Sequence, residues 1–283
     1  MTRRLLAVLV IAALAFGGAA AFVTWHDGSL PPLFPAVEEC RADAAGRTVE
    51  LDLEQSGNAA LIAAISVQRG MPARAATIAL ATAYQESDLR NLEYGDRDSV
   101  GLFQQRPSQG WGTPEQLQSP RYAASRFYDH LVRVRGWQTM RLTDAAQAVQ
   151  RSGHPELYQQ WESHATTMTA ALMGRVTGAV TCQLREAAPT AGVGSSASLT
   201  RELAADLGVA AAAGSGSVSL AVAVRDTTTG WRAAHWFVAK SQGYRVRTVA
   251  YAGNVWTAET GKWERDDAAP DARRIEVRLA DQS

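Results

Sequence analysis

The stretch AYQESDLRNLEYGDRDSVGLFQ, from Ala83 to Gln104, brings a single glutamate to the end of an alanine-rich helix. A polar, charged loop follows Glu86, and Gly101 then permits a tight turn of the backbone. A carboxyl group at the end of a buried helix is partly desolvated, which disfavours its charged form and raises its pKa. Such a group can donate a proton near neutral pH, so Glu86 is a candidate general acid and base.

Helical periodicity extends on both sides of this stretch. Apolar residues recur at helical spacing, and Ser119 is a predicted helix cap before Pro120. We predict a mainly α-helical domain over residues 40–184. Its expected helices cover residues 54–70, 73–87, 119–134, 143–152 and 155–174.

The N-terminus is an apolar run preceded by Arg3 and Arg4. From Leu5 to Trp25 there are 21 uncharged residues, enough to span a bilayer. The arginines favour the cytoplasmic side, so the remainder of the chain is expected to face outward. Small residues at 19–21 are also typical of a signal-peptide cleavage site. Residues 1–26 are therefore predicted to be a membrane anchor, or a cleaved signal that leaves a secreted protein.

The chain has two cysteines, Cys40 and Cys182, which bracket the helical segment. An exported location permits disulfides. Two unrelated thiols are the alternative, but exported free thiols are exposed to oxidation. We therefore predict a disulfide between Cys40 and Cys182.

Composition changes at both ends of the helical segment. Residues 27–39 contain three prolines and are predicted to form an extended stem. Residues 185–199 are rich in Gly, Ser and Ala, as in flexible linkers. Beyond them, SVSLAVAV and RRIEVRL alternate as strands do, and GWRAAHWFVAKSQG is helix-like. The expected fold class is a multidomain α+β chain: a membrane helix, a helical domain and a small α/β domain over 200–283.

Charge and motif content exclude several functions. The formal net charge is zero, no block of Lys and Arg could follow a phosphate backbone, and no Gly-rich phosphate loop is present. None of the five histidines has a ligand partner at the spacing of known metal motifs. We therefore expect no nucleic acid partner, no metal and no cofactor.

The segments QES and DSVGLFQ resemble the motif pair of the lysozyme-like lytic transglycosylases and goose-type lysozymes. In that superfamily a catalytic Glu-Ser pair closes a helix, and a Ser-x-Gly-Leu-hydrophobic-Gln segment follows after a loop. Glu86 precedes Gln104 by 18 residues, a separation similar to the family's. The resemblance covers about residues 50–180, and EYGDRDSVGLFQQRPSQGWGTP also resembles exported actinobacterial proteins with this domain.

The resemblance implies cleavage of the β-1,4 bond between N-acetylmuramic acid and N-acetylglucosamine in peptidoglycan. Glu86 would protonate the leaving oxygen. In lytic transglycosylases the same residue then acts as a base, and the muramyl 6-hydroxyl attacks C1 to give a 1,6-anhydro product. A hydrolase needs a second carboxylate, for which Asp96 and Asp98 are the candidates.

Several other residues are candidates for substrate contacts. Polar side chains would hold sugar hydroxyls and acetamido groups, and aromatic rings would stack on sugar faces or else pack in the core. Three loop arginines would contact peptide carboxylates of the wall or else form a solvated face. The sugar-contact candidates are Ser99, Gln104, Gln105, Trp111, Tyr122 and Gln150, and the arginines are Arg90, Arg97 and Arg106.

One segment departs from the family pattern. Where relatives carry a Tyr-Asn-Ala-Gly segment, this chain has VQRSG at 149–153, without the tyrosine that orients the acid in many relatives. Tyr158 is the candidate to replace it. The departure supports one alternative to catalysis, a wall-binding protein that keeps the groove. The alternating strands and tryptophans of residues 200–283 suggest another, a scaffold whose C-terminal domain recruits wall or division proteins.

Overall fold

The computed structural model describes residues 38–153, 155–184, 195–215 and 219–280. The predicted anchor or signal, nearly all of the stem and most of the linker lie outside these residues. Within the described ranges, no helix has both the length and the hydrophobicity needed to cross a membrane.

A three-stranded antiparallel sheet joins the two ends of the segment predicted to be helical. β1 (Glu39–Ala44) and β2 (Arg47–Leu51) form a hairpin, and β3 (Val180–Gln183) pairs with the other edge of β1. Cys40 lies directly opposite Cys182, and the predicted disulfide joins them. The prediction of a helical segment is therefore wrong at its two ends, where the chain forms strands. The short strands there use small residues such as Ala42 and Ala44, which give a weak strand signal.

The middle of this segment is helical, as predicted. Asp52 caps the first helix and Ser119 caps the fourth, each by accepting from a backbone N–H. Short 3-10 helices occupy Pro107–Gln109 and Pro155–Trp161. The α-helices are α1 (Leu53–Gln68), α2 (Ala73–Ser87), α3 (Pro114–Leu117), α4 (Pro120–Leu131), α5 (Leu142–Gln150) and α6 (Glu162–Leu172).

The C-terminal segment is a six-stranded antiparallel sheet with three helices, in agreement with its predicted α/β character. The sheet order is β4-β5-β9-β6-β7-β8, and α8 packs against β6 and β9. The first helix was not predicted: it begins at Ser196, inside the expected linker, and buries Leu199 and Leu203. The elements are α7 (Ser196–Leu207), β4 (Ala212–Ala213), β5 (Leu220–Ala223), α8 (Thr227–Ala239), α9 (Ser241–Tyr244), β6 (Val246–Tyr251), β7 (Asn254–Thr257), β8 (Lys262–Arg265) and β9 (Arg274–Leu279).

The two segments share one hydrophobic core. Helix α1 is buried on nearly every side, because α2, α4 and α6 cover one part of it and α7 and α8 cover another. The described residues from Glu38 onward accordingly form one compact unit. The segments predicted as a helical domain and an accessory domain thus pack directly on each other.

His235 on α8 links the two segments through hydrogen bonds at both ring nitrogens. Its Nε2 accepts from the Ala179 backbone N–H at 2.9 Å, and its Nδ1 lies 2.9 Å from the Ala171 carbonyl oxygen. The side chain is fully buried. The Nδ1–H tautomer satisfies both contacts, so the neutral ring fits this position and the charged ring would lose its acceptor.

We expect the stability of the protein to fall as pH is lowered from 6.5 to 4. Burial lowers the pKa of His235 from 6.5 to about 4, so the unfolded state binds more protons within this window. The loss corresponds to about 3 kcal/mol of the free energy of unfolding. Urea denaturation at successive pH values measures it. His235→Asn is expected to make the free energy of unfolding less dependent on pH. An equally steep pH dependence in that variant would contradict the assignment of the effect to His235.

Candidate active site

Glu86 is the penultimate residue of α2, and the end of this helix is tied to the turn that follows the loop. The Ser87 hydroxyl donates to the Leu102 carbonyl oxygen at 2.7 Å. Asp88 then adopts a left-handed conformation that ends the helix. The Glu-Ser pair therefore places Glu86 beside the Gly-Leu-Phe-Gln turn, although 15 residues of chain separate Ser87 from Leu102.

The turn itself has a conformation and a packing that require glycine at 101. Gly101 has φ +77°, and a Cβ there would lie 2.3 Å from the Leu117 carbonyl oxygen. The next two side chains, Leu102 and Phe103, are fully buried. A backbone bridge between Val100 and Gln105 closes the turn. The turn is thus anchored in the core and presents its polar residues next to Glu86.

Two side chains hold the carboxyl group of Glu86, both through the same oxygen. The Tyr158 hydroxyl donates to Oε1 at 2.5 Å, and Gln150 Nε2 donates to Oε1 at 3.2 Å. Gln150 Nε2 also donates to the Phe103 carbonyl oxygen at 2.8 Å. Oε2 makes no hydrogen bond with the described residues. The carboxyl group is therefore oriented through one oxygen, and the other is available to carry a proton.

Tyr158 reaches Glu86 because its 3-10 helix docks on the end of α2. The Trp161 indole Nε1 donates to Gln85 Oε1 at 2.8 Å, and the Trp161 ring stacks on Tyr84 with centroids 4.4 Å apart. Tyr158 is fully buried. Three consecutive residues of α2, from Tyr84 to Glu86, thus contact this one 3-10 helix. Tyr158, the candidate named for the tyrosine absent from the VQRSG segment, therefore contacts the carboxyl group of Glu86.

The surroundings of Glu86 favour its neutral form. Burial raises the pKa of Glu86 above its usual value, and the hydrogen bonds from Tyr158 and Gln150 offset only part of that rise. Burial and the adjacent carboxyl group also raise the pKa of Tyr158 well above its usual range. Tyr158 therefore remains a hydrogen-bond donor, and Glu86 retains its proton to higher pH than an exposed glutamate.

Glu86 opens onto a cleft of about 580 Å³. Eight of the predicted candidates line it together with Glu86: one of the two aspartates, five of the six sugar-contact residues and two of the three arginines. The lining residues are Glu86, Asp96, Arg97, Ser99, Gln104, Gln105, Arg106, Gln109, Trp111, Gln150, Arg151, Ser152 and Gly153.

The two candidates for a second carboxylate have different environments. Asp98 is outside the cleft lining and accepts hydrogen bonds from Arg106 Nε and the Ser108 backbone N–H, each at 2.7 Å. These bonds hold the pKa of Asp98 well below its usual range. Asp96 lines the cleft and is exposed, next to Arg97. Of the two, only Asp96 is positioned to face a ligand.

The side chains of Tyr122, Gln104 and Gln105 mainly form hydrogen bonds within the protein. The Tyr122 hydroxyl donates to the Trp111 carbonyl oxygen at 3.3 Å, and Tyr122 is absent from the cleft lining. Gln104 Nε2 donates to the carbonyl oxygen of Tyr94, which braces the loop. Gln105 lines the cleft but is buried: its Nε2 donates to the Ala123 carbonyl oxygen, and its Oε1 is enclosed by the protein without a partner among the described residues.

Sequence reasoning did not select several residues of the cleft. Ser152 hydrogen-bonds Tyr158, and Arg151 follows Gln150 in a left-handed conformation at the end of α5. Both belong to the VQRSG segment. Its departure from the family pattern was the sequence feature that could have pointed to them. Over the described parts of the chain, no group of three or more His, Cys, Asp or Glu residues is arranged to hold a metal ion.

Comparison with known proteins gives no relative from which a function could be transferred. No model of a known protein family matches the chain, and no curated protein matches it at a significant level. The candidate function therefore depends on the geometry of the cleft and on the motif resemblance.

Replacing Glu86 should stabilise the fold at neutral pH. Because the folded-state pKa of Glu86 lies above 4.5, ionisation of this group disfavours the folded state once the pH exceeds that value. Glu86→Gln removes the charge and keeps the shape. We expect a higher free energy of unfolding for Glu86→Gln than for wild type at pH 7.5, and a gain that disappears toward pH 4.

The matched control is Glu115→Gln. Hydrogen bonds to its own backbone and to Thr113 lower the pKa of this exposed glutamate. Its replacement is therefore expected not to stabilise the protein at pH 7.5. Denaturant unfolding of both variants measures the difference, and an equal gain at the two pH values for Glu86→Gln would contradict the prediction.

Proposed function

We propose that the protein cleaves peptidoglycan glycan strands at the β-1,4 bond between N-acetylmuramic acid and N-acetylglucosamine. The observation that carries this proposal is the carboxyl group of Glu86. It is partly buried, it opens onto a cleft, and Tyr158 and Gln150 hold it through Oε1 alone. The expected exported location, with a membrane anchor or a cleaved signal, belongs to the same proposal.

The protonated form of Glu86 is suited to the first step. With its proton on Oε2, Oε1 still accepts from Tyr158 and Gln150, so both contacts survive in the neutral state. Transfer of the proton to the glycosidic oxygen breaks the bond to C1 and leaves a carboxylate. The same hydrogen bonds then stabilise that carboxylate, because bonds to a charged acceptor are stronger.

The carboxylate of Glu86 acts as the base in the second step. It accepts the proton of the hydroxyl group that attacks C1. We favour the muramyl 6-hydroxyl as the nucleophile, which gives a 1,6-anhydro product and requires no second carboxylate. Asp98 is occupied by Arg106 and Ser108, and the exposed Asp96 is the remaining group that could serve a hydrolytic route.

The cleft suits a carbohydrate bearing amide groups. Its lining is largely polar, so it offers hydrogen-bonding groups to sugar hydroxyls and acetamido groups. Ser99 and Gln150 also line the cleft and supply further polar groups to such a ligand.

Two non-catalytic functions remain as outcomes of the test. They are a wall-binding protein that retains the groove and a scaffold that uses its C-terminal segment to recruit wall or division proteins. The missing tyrosine of the VQRSG segment supported the wall-binding function, and the alternating strands and tryptophans of residues 200–283 suggested the scaffold. The contact of Tyr158 with Glu86 weakens the argument that the missing tyrosine gave for the wall-binding function.

The test of the proposal is mass spectrometry of purified peptidoglycan after incubation with residues 38–283, beside Glu86→Gln. We expect 1,6-anhydromuramyl products with wild type and a loss of at least about 10²-fold in rate with the variant. Reducing-end products would redirect the second step to Asp96. No product from folded wild type that still binds the wall would replace the proposal by the wall-binding function.

Tyr158→Phe is expected to slow cleavage and to shift its pH profile. Loss of a hydrogen bond to a charged group costs about 1.5–3 kcal/mol, which corresponds to about a tenfold to hundredfold lower rate. Because the bond from Tyr158 lowers the pKa of Glu86, its removal should move the alkaline limb of the profile to higher pH. Initial rates at successive pH values measure both effects.

Tyr122→Phe is the matched control, since it removes the same hydroxyl from a tyrosine that does not contact Glu86. Its pH profile should coincide with that of wild type. A slower Tyr158→Phe variant whose alkaline limb stays in place would assign Tyr158 a purely structural function.

A further inference from the structure

A second depression of about 670 Å³ adjoins the cleft at Glu86. The two share Gln109, Trp111, Gln150 and Arg151, so a single ligand can occupy both. We call the second depression the basic arm. Its other lining residues are His130, Arg133, Val134, Ala148 and Val149.

The charge of the basic arm comes from two arginines without acidic partners. Arg133 and Arg151 are exposed, and neither side chain makes an ion pair or a hydrogen bond with the described residues. No aspartate or glutamate lines the arm. Asp129 on α4 is already paired with Arg69 and Arg126. Arg133 also helps to lower the pKa of Asp129, so its charge is partly offset there, but the lining of the arm itself is net positive at neutral pH.

The three arginines predicted from the sequence to contact carboxylates, in contrast, have acidic neighbours. Arg90 pairs with Asp52, and Arg106 pairs with Asp98. Arg97 lies 3.8 Å from an oxygen of Asp96, and both are strongly exposed. Arg133 and Arg151 are thus better placed than these three to bind an incoming anion, because they have no carboxylate to displace.

Apolar and aromatic groups line the basic arm beside the two arginines. The rings of Trp111 and His130 stack with centroids 4.1 Å apart. Burial and the neighbouring Arg126 and Arg133 lower the pKa of His130, so its ring is neutral at neutral pH. Val149 is buried and Val134 is half-buried. The arm therefore offers contacts to carboxylates and to small apolar groups at the same time.

We propose that the basic arm binds the acidic peptide substituent of the glycan, so that the enzyme prefers strands whose muramyl peptides carry free carboxyl groups. This inference rests on the proposed cleavage of peptidoglycan, and it names the part of the substrate that occupies the arm. A guanidinium group pairs with a carboxylate through two parallel hydrogen bonds. The apolar wall accommodates alanyl methyl groups, which a phosphodiester polymer or a phosphate ion lacks.

The arm is connected to the acid through the end of α5. Gln150 contacts Glu86, and the next residue, Arg151, lines both depressions. A peptide held by Arg133 and Arg151 would thus lie beside the residue that orients Glu86. Binding in the arm is therefore expected to position the muramyl unit in the cleft, which raises the rate on peptide-bearing strands.

The first test is an NMR titration of the full chain with N-acetylmuramyl-alanyl-glutamate, with either free or amidated carboxyl groups. We expect the free acid to bind about tenfold more tightly than the amide. Arg133→Gln should remove most of this difference. Arg135→Gln is the matched control, because Arg135 is exposed two residues away and lines neither depression.

Several results would overturn the inference. One is equal binding of the free acid and the amide, and another is no binding of the acid. A third is an equal loss of affinity in Arg133→Gln and Arg135→Gln, which would indicate a non-specific charge effect. Tighter binding of inorganic phosphate or of a wall phosphodiester polymer would overturn it as well, since the arm would then recognise phosphate.

The second test separates this inference from the proposed function. Initial rates are compared on peptide-bearing and peptide-free glycan strands, for wild type and for Arg133→Gln. We expect a preference of about tenfold for peptide-bearing strands in wild type, and its loss in the variant. Cleavage of both strands at one rate, unaffected by Arg133→Gln, would overturn the inference and leave the function intact. Specific binding of the free acid without any cleavage would leave the inference intact and overturn the function.

Discussion

The hydrogen bond from the Ser87 hydroxyl to the Leu102 carbonyl oxygen is the contact on which the candidate site depends. It joins the end of α2 to a turn whose next two side chains, Leu102 and Phe103, are fully buried. The same turn offers the Phe103 carbonyl oxygen to Gln150, which in turn reaches Glu86. The end of α2 that carries Glu86 and the Gln150 side chain that donates to its Oε1 are thus both hydrogen-bonded to one turn anchored in the core. Residues distant in sequence can therefore orient a single carboxyl group.

The elements that could be predicted from the sequence are those with a local signal. Helices α1, α2 and α4 follow from their periodicity, and strands β5 and β9 follow from the alternation in SVSLAVAV and RRIEVRL. The disulfide follows from the cysteine count and the expected export. The position of Glu86 at the end of a helix follows from the motif that contains it.

The elements that could not be predicted depend on contacts between distant parts of the chain. β1 has small residues and little strand propensity, and its pairing with β3 joins residues about 140 positions apart. Helix α7 is short and begins in a Ser-rich segment that reads as a linker. The apolar surface of α1 indicates burial on all sides, but not which elements cover it. Asp98 was predicted to be a free carboxylate because its partner, Ser108, comes near it only through the fold of the loop.

The strand β3 and the residue before it contact both segments of the protein. Cys182 is bonded to β1, Ala179 donates to His235, and the Val180 carbonyl oxygen accepts from the Trp263 indole. One peptide bond cut between residues 185 and 194 would therefore separate the chain into two pieces that remain associated without a covalent link. The C-terminal piece would remain packed against α1. A protease that cuts there would therefore yield two smaller polypeptides under denaturing conditions, while the folded protein would stay in one piece.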